Sequence, residues 1–240
     1  MMYRRFLIAA LAALMTACAT TAPPPEERDP ADPWEPFNRN IYQFNRTVDK
    51  AVIRPIATGY EAVVPDPVET GVTNFFGNLQ SLSDIVNLTL QGRPGDSIKM
   101  FARFTMNTLL GVVGVFDVAT RAGLPDFEED FGQTLAVWGW RDSPYLMLPF
   151  LGPSTLRDGL AEIPDSYSNI IWRRAVNGRE WGLALDIIQT RANLLPREQQ
   201  LEEAFDEYLL IRDAWIQNRQ FKISGESPTP DYDSFLEDED

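Results

Sequence analysis

The sequence predicts an all-α fold in which long irregular connections join the helices. Along most of residues 33–224, apolar residues recur at the spacing of three and four positions that places them on one helical face. Strand-like alternation is scarce, and prolines and capping residues stand where the helical patterns begin or end. With 240 residues, of which 44% are hydrophobic, the chain is large enough to bury a substantial core.

The first two predicted helices are defined by their apolar stripes and by proline. The first helix ends near Arg54-Pro55 and has one apolar face, formed by Phe37, Ile41, Phe44 and Val48. The second opens at Pro65-Asp66-Pro67, where Asp66 suits the N-cap and Pro67 the first helical position. Its stripe consists of Val68, Val72, Phe75, Phe76 and Leu79.

Four further helices follow from the same signals. One covers residues 81–90 and ends at Gly92, and the next covers residues 97–110 with Asp96 as its cap. The last two are predicted over residues 181–195 and 197–221. One stripe of the final helix holds Leu201, Phe205, Tyr208, Arg212 and Trp215.

Residues 98–119 are apolar nearly all round. A helix of this kind either belongs to the core or faces lipid, and the sequence leaves both alternatives open. Gly111 and Gly114 interrupt the run and favour a bent or hairpin shape over a straight span. A second apolar block, residues 144–153, contains three prolines, so we expect extended chain there and neither a regular helix nor a central strand.

The N-terminus has the pattern of a secretory signal peptide. Arg4 and Arg5 precede an apolar segment, and small residues lead to Cys18, the one cysteine of the chain. Leu14-Met15-Thr16-Ala17-Cys18 resembles a bacterial lipobox, which predicts that Cys18 is acylated and becomes the first mature residue. A plain cleaved signal peptide is an alternative. A membrane-spanning anchor is another, but the apolar segment is shorter than the ~20 residues that spanning requires.

The chain accordingly divides into four parts. Residues 1–17 are the predicted signal peptide, and residues 18–32, rich in proline and acidic side chains, are the predicted tether to the lipid anchor. Residues 33–224 form the helical body. Residues 225–240, which end in four acidic residues, are predicted to be a disordered tail.

Composition excludes several classes of function. The chain has no histidine, and its one cysteine is assigned to lipid, which excludes catalytic Cys–His and Ser–His–Asp sites and zinc sites built from histidine and cysteine. The net charge of −14 argues against nucleic acid as a partner. We predict a binding protein that is not an enzyme and needs no cofactor.

Many ordered blocks resemble the MlaA (VacJ) family of outer-membrane lipoproteins. The first blocks are Asp32-Pro33-Trp34-Glu35-Pro36-Phe37-Asn38-Arg39, Phe44-Asn45 and Asn74-Phe75-Phe76-Gly77-Asn78-Leu79. Later blocks are Leu90-Gln91-Gly92, Asn107-Thr108, Gly111-Val112-Val113-Gly114-Val115-Phe116-Asp117, Asp130-Phe131-Gly132-Gln133, Gly152-Pro153-Ser154-Thr155-Leu156-Arg157-Asp158 and Arg212-Asp213. The resemblance covers the chain from Asp32 to about Gly225.

This resemblance implies a fold, a location and a function. The body would be a ring-shaped, membrane-embedded helical domain with a helical hairpin, lipid-anchored in the periplasmic (inner) leaflet of the outer membrane. It would remove mislocalised phospholipid from the outer leaflet through an amphipathic channel and pass it to a periplasmic lipid carrier. A trimeric porin is the other implied partner, and phospholipid is the transported ligand.

The resemblance also implies candidate site residues. A channel and gating hairpin would include Asn107, Gly111, Gly114, Phe116, Asp117 and Gly139. A first-helix and interface group would include Trp34, Phe37, Phe44 and Asn45. Where family members commonly have a glycine-rich turn before a Pro-Tyr pair, this chain has Gly139-Trp140-Arg141-Asp142-Ser143, which implies a stiffer turn.

Structural alternatives accompany these assignments. Gly111 and Gly114 are either hinges or close-packing residues, and Phe44 is expected in the core ahead of any lipid contact. Five polar residues could meet a lipid headgroup or be paired in place: Lys99, Arg103, Asn107, Asp117 and Arg121. Four asparagines are expected as helix caps or turn residues: Asn38, Asn74, Asn78 and Asn107.

Two other classes of function remain beside lipid transport. A structural or adaptor lipoprotein would associate with porins without moving lipid, and bound phospholipid on the purified protein would distinguish the two. A carboxylate-based phospholipase is the third class. The absence of histidine argues against it.

Overall fold

The computed structural model describes residues 29–162 and 179–224. The described elements are α1 (Glu35–Val48), α2 (Arg54–Val63), α3 (Asp66–Leu90), α4 (Pro94–Leu109), α5 (Val118–Arg121), α6 (Phe131–Val137), β1 (Tyr145–Leu148), β2 (Gly152–Thr155), α7 (156–162), α8 (Arg179–Leu194), α9 (Glu198–Glu202) and α10 (Glu207–Ser224). The protein is therefore mostly helical. The predicted signal peptide, the lipid-anchor residue Cys18 and the acidic tail lie outside the described residues.

The first helix does not end at Arg54-Pro55, as the sequence predicted. A π-helical turn, Asp49–Ile53, joins α1 directly to α2. Pro55 lies in the first turn of α2, where the missing N–H of proline removes no helical hydrogen bond. The π-turn therefore accommodates the proline without breaking the helix.

The second and third predicted helices are one, α3. Ser81 was placed at the start of a new helix, but it lies buried within α3 and its hydroxyl donates to the Gly77 carbonyl at 3.2 Å. Asp66 is the first helical residue and makes no capping bond, because Pro65 occupies the N-cap position. Asp96 does not cap α4 either. That helix begins at Pro94, and Asp96 pairs with Arg93 and Lys99 in its first turn.

The final predicted helix is divided into α9 and α10. Phe205 lies in the break, is fully exposed and leaves the predicted stripe. Asp206 explains the break, because its carboxylate accepts hydrogen bonds from the backbone N–H groups of Tyr208 and Leu209 and so caps α10. The preceding 3₁₀ turn, Leu195–Arg197, joins α8 to α9.

Residues 144–155 include a two-stranded antiparallel hairpin, so the prediction of an all-α fold was incomplete. Tyr145 pairs with Thr155 and Leu148 with Gly152. In the described sheet each strand has one neighbouring strand, so both are edge strands. Pro153, which has no N–H to donate, therefore lies where a sheet tolerates proline. On the other side of β1, the Tyr145 N–H donates to the carbonyl of Ala31, which ties the end of the tether to the hairpin.

The main apolar cluster lies between α1, the hairpin and α10. Tyr145, Met147 and Tyr208 form its buried centre, with Ile41, Tyr42, Leu209, Trp215 and Ile216 packed around it. Asn38 was expected to be a cap or turn residue, but it is buried within α1 beside this cluster. Its side chain donates to Asp32 at 2.7 Å and to the Tyr145 carbonyl at 3.2 Å, and it accepts from the Met147 N–H at 2.9 Å. Asn38 thereby fixes the hairpin against α1.

A buried ion-pair network attaches α10 to the middle of the chain. The guanidinium of Arg219 pairs with Asp130, the N-cap of α6, and with Asp158 in α7. Asp158 also pairs with Arg157, which is almost completely buried. Burial opposes ionisation of Asp130 and Asp158, but the hydrogen bonds and charge of Arg219 lower the pKa of each below its usual value.

Replacement of Arg219 should therefore destabilise the fold strongly. We expect Arg219→Gln to lower the free energy of unfolding by about 3 kcal/mol, because Asp130 loses its cation and Asp158 keeps only Arg157. Lys222→Gln is the matched control on the same helix, since Lys222 pairs with the exposed Glu128 and should contribute less than about 1 kcal/mol. Chemical denaturation of both variants checks this, and equal losses would contradict it.

No described helix is both long enough and apolar enough to cross a membrane.

Candidate functional site

Helix α4 buries the polar side chains of Arg103 and Asn107 and exposes several of its large apolar side chains. Met100, Arg103 and Asn107 are buried against the rest of the protein. Ile98, Phe101 and Leu109, which the helical period places on the opposite face, are 57–74% exposed. This distribution is the reverse of that in a water-exposed helix. An apolar face of this kind marks a contact with another molecule or with lipid.

The exposed apolar face continues into the turn that follows α4. Leu110, Val112, Val113 and Phe116 are 56–65% exposed. We call these residues, together with Ile98, Phe101 and Leu109, the apolar ridge. The turn reverses the chain between α4 and the one-turn helix α5, so residues 98–119 form the bent shape that the two glycines predicted.

The backbone of this turn is strained. Val112 and Val113 have φ values of 53° and 59°, in the left-handed region that β-branched residues avoid. Hydrogen bonds hold them there: the N–H of Val113 donates to the Thr108 carbonyl at 3.0 Å, and that of Gly114 to the Asn107 carbonyl at 2.9 Å. Such strain persists only where the surrounding structure imposes it, and it concentrates at functional sites.

Both glycines of the turn occupy positions where a side chain does not fit. A Cβ on Gly111 would lie 2.1 Å from the Phe116 carbonyl oxygen and 2.4 Å from that of Asn107. A Cβ on Gly114 would lie 2.5 Å from that of Asn78, and Gly114 has a φ of 93°. The geometry therefore matches the close-packing alternative. A hinge role for the two glycines remains a prediction.

Two asparagines of α3 hold the turn from the other side. The Asn74 amide donates to the Val115 carbonyl at 3.1 Å, and the Asn78 amide donates to the Thr108 hydroxyl at 3.0 Å. Both were predicted to be caps or turn residues, and the sequence did not reveal this role. A signal was present, because Gly71, Asn74 and Asn78 share one face of a helix.

The polar residues beneath the ridge are paired with one another. Arg103 pairs with Asp117 at 2.8 Å and with Asp126 at 3.0 Å. Asn107 donates to Asp117 at 3.1 Å and accepts from the N–H groups of Val118 and Ala119, so it caps α5. Burial alone would raise the pKa of Asp117, but hydrogen bonds from Thr120 and Asn107 and the charge of Arg103 lower it. These three side chains are thus paired in place, and Lys99 pairs with Asp96.

Two members of the first-helix group, Phe44 and Asn45, contact the tip of the hairpin instead. Asn45 donates to the Leu148 carbonyl at 2.9 Å and accepts from the Phe150 N–H at 2.8 Å. Phe44 packs edge-on against Phe150, with ring centroids 5.1 Å apart. Phe44 is 43% exposed, so its expected place in the core is wrong. Trp34 and Phe37 are exposed to a similar degree.

The structure separates Gly139 from the ridge. Gly139 follows α6, where the preceding Trp138 indole donates to the Leu90 carbonyl at the end of α3. The turn with Gly111 and Gly114 contacts the same helix at Asn78, about 18 Å away along its axis. Gly139 has a φ of 117° and open space around its Cα. The six predicted channel residues therefore lie at two places, five in and beside the turn and Gly139 apart from them.

Helix α3, which packs against α4, also contains a buried carboxyl group. Asp84 on α3 accepts from the Glu129 N–H at 3.0 Å. Burial is the largest effect on it, and with the nearby charges of Asp126 and Glu129 it raises the pKa of Asp84 to about 8. Asp84 therefore carries a proton at neutral pH. No group of three or more carboxylates or other ligands suited to a metal ion occurs in the described part of the chain.

The free energy of unfolding should depend on pH because Asp84 binds a proton in the folded protein. The stabilising contribution of protonated Asp84 is complete below about pH 4, where the unfolded carboxyl titrates, and is lost as the pH rises through about 8. We expect Asp84→Asn to reduce the fall in unfolding free energy between pH 5 and pH 8 by ~1 kcal/mol or more. Asp142→Asn, at an exposed carboxylate, is the control. Parallel profiles for Asp84→Asn and the wild type would contradict the assignment.

Gly111→Ala should destabilise the protein by about 2 kcal/mol or more, because its methyl group collides with two backbone carbonyls that hold the turn. Gly77→Ala in α3 is the matched control. A Cβ on Gly77 would meet no atom within 4 Å, so this substitution should stabilise the helix by up to about 1 kcal/mol. Thermal unfolding in detergent compares the two, and a neutral Gly111→Ala variant would show that the turn is not rigid.

Comparison with known proteins gives one consistent result. The family model described as MlaA lipoprotein matches residues 30–222. The "Intermembrane phospholipid transport system lipoprotein MlaA" of Escherichia coli (strain K12) is 36% identical over 221 residues, which cover 88% of this chain and 85% of the relative. The protein of the same name from Haemophilus influenzae is 30% identical over 229 residues, 92% of this chain and 91% of the relative.

A solved structure agrees. It was reported as "Structural basis for maintenance of bacterial outer membrane lipid asymmetry" and is similar to this protein with a TM-score of 0.71 and 35% identity. The match covers 82% of this chain and 100% of the solved chain. The match to the family model extends from the buried N-terminal segment at Asp32, through the strained turn, to the Arg219 network on α10. This protein therefore belongs to the MlaA lipoprotein family.

Proposed function

We propose that this protein transports phospholipid between membranes and thereby maintains the lipid asymmetry of the outer membrane. The observation that carries the proposal is the arrangement of α4 and its turn, which present the apolar ridge outward above the paired side chains of Arg103, Asn107 and Asp117. The names of the two bacterial relatives, which describe a phospholipid transport system, support the same function.

The chemistry required of such a protein is binding without covalent change. Each acyl CH₂ group that leaves water for an apolar surface gains roughly 0.8 kcal/mol, so the ridge attracts lipid chains without an energy source. Arg103, Asn107 and Asp117 saturate one another beneath the ridge, and they therefore serve to hold its shape. Transport of this kind is passive, and other components set its direction.

The proposal includes a location and partners. Acylated Cys18 would anchor the protein in the periplasmic leaflet of the outer membrane, and the 11 residues from Cys18 to Asp29 span at most about 40 Å. The helical body would be ring-shaped and embedded in that leaflet, beside a trimeric porin. Phospholipid taken from the outer leaflet would pass through an amphipathic channel to a periplasmic carrier protein.

Mass spectrometry of co-purifying lipid tests the proposal. The full-length protein extracted in mild detergent should carry diacyl phospholipid in stoichiometric amount. Phe116→Gln, which places a polar group on the ridge, should lower this load at least twofold. Phe205→Gln should not, because Phe205 is equally apolar but lies in the break between α9 and α10.

The alternative function gives a different result. An adaptor lipoprotein would still retain a porin while carrying no phospholipid above the level of an unrelated lipoprotein purified in parallel. That outcome would replace transport by the adaptor function. An equal loss of lipid in Phe116→Gln and Phe205→Gln would show that the ridge is not the contact surface.

A further inference from the structure

Cations are scarce on this acidic protein, and most of them are already paired. Nine arginines form ion pairs with carboxylates among the described side chains: Arg39, Arg46, Arg54, Arg93, Arg103, Arg157, Arg191, Arg212 and Arg219. Lys99 and Lys222 are paired as well. A cation without such a partner is therefore an unusual feature of the surface.

Three exposed cations form no ion pair with a carboxylate in the described ranges: Lys50, Arg121 and Arg141. Lys50 lies close enough to Glu207 for its charge to act on that carboxylate. Arg121 lies one helical turn after Asp117, whose carboxylate is paired with Arg103, and Arg141 lies in the segment between α6 and β1. Of these two, Arg121 follows the apolar ridge directly, at the end of α5.

Arg121 lies close enough to the ridge for one phospholipid molecule to contact both. Phe116 and Arg121 are five positions apart with a helical turn between them, so their Cα atoms are at most about 12 Å apart. The polar layer of a bilayer is about 5–8 Å thick on each side of the hydrocarbon. The flexible stem of arginine spans such a layer while its guanidinium stays in the polar zone.

We propose that Arg121 binds the phosphate of a glycerophospholipid whose acyl chains lie on the apolar ridge. The inference rests on the proposed function and adds the residue that recognises the headgroup. A guanidinium suits this task because its donors match two phosphate oxygens at once. The polar residues beneath the ridge do not serve it, since Arg103 is committed to Asp117 and Asp126. Rigidity of the strained turn keeps the distance between cation and ridge fixed.

Binding of a water-soluble short-chain lipid tests the assignment. Detergent-solubilised full-length protein is titrated with dihexanoyl phosphatidylglycerol and, separately, with dihexanoylglycerol, which has the same chains without phosphate. We expect Arg121→Gln to weaken binding of the phospholipid about fivefold, since one basic residue beside an anionic lipid contributes ~1 kcal/mol and 1.4 kcal/mol corresponds to tenfold. Binding of dihexanoylglycerol should not change.

Two further variants make the test specific. Arg141→Gln removes the other exposed, unpaired arginine and should leave binding of the phospholipid unchanged. Arg121→Lys keeps the charge but loses the paired donors, so its affinity for the phospholipid should lie between those of the wild type and Arg121→Gln. The difference between wild type and Arg121→Gln should shrink at high salt, because salt screens exposed charges. Circular dichroism should show the same unfolding temperature for all variants, since both arginines are exposed.

The results separate failure of this inference from failure of the proposed function. Equal affinities of wild type and Arg121→Gln for the phospholipid would overturn the role of Arg121, while co-purified phospholipid would leave transport intact. Equal losses for Arg121→Gln and Arg141→Gln would show a diffuse charge effect and would also overturn it. No phospholipid on the wild type, either co-purified or titrated, would overturn both proposals.

Discussion

The outward placement of apolar residues on α4 and its turn is the constraint on which the remaining structure depends. While Ile98 and Phe101 face outward, the inner face of the same helix carries the polar Arg103 and Asn107 beside Met100, and each buried polar group needs a partner. The Arg103, Asn107 and Asp117 cluster meets this need. Within the described residues, two buried side-chain atoms have no partner, the Asn78 Oδ1 and the Tyr145 Oη. Apart from the Asn78 Oδ1, the buried polar side chains beneath the ridge are paired, and this lets the outer face be apolar without loss of a defined fold.

The strained turn follows from the same constraint. Two valines in left-handed conformation cost roughly 1–2 kcal/mol each. The turn persists because Gly111 and Gly114 allow backbone contact on the inside, and because Asn74 and Asn78 bind it from α3. The side chains of Val112 and Val113 in this left-handed stretch are 62% and 56% exposed, so they lie at the surface and not in the core. Strain in the backbone thus maintains an exposed apolar surface that water alone would disfavour.

Ion pairs between segments distant in sequence hold together the helices that carry the apolar ridge and the rest of the protein. Arg219 joins α10 to α6 and α7, while Arg46 and Arg191 join α1 and α8 to the acidic residues Glu198 and Glu207. These contacts connect segments that are distant in sequence, and they consume most of the cations. Few cations remain without an ion pair among the described side chains, and one of them, Arg121, lies shortly after the ridge.

The sequence by itself determined the mostly helical class, most helix boundaries near proline, and the family, while the signal peptide and the lipid anchor at Cys18 stay predictions. It also located the bend at Gly111 and Gly114, because glycine interrupts an apolar run visibly. Hydrophobic periodicity does not reveal which side of a helix faces inward, so the reversed polarity of α4 was decided only by the tertiary structure. Long-range contacts likewise assigned Asn38 to the hairpin and separated Gly139 from the turn. Local patterns encode local conformation, whereas the partners of a buried polar group come from distant parts of the chain and are known only when the chain is folded.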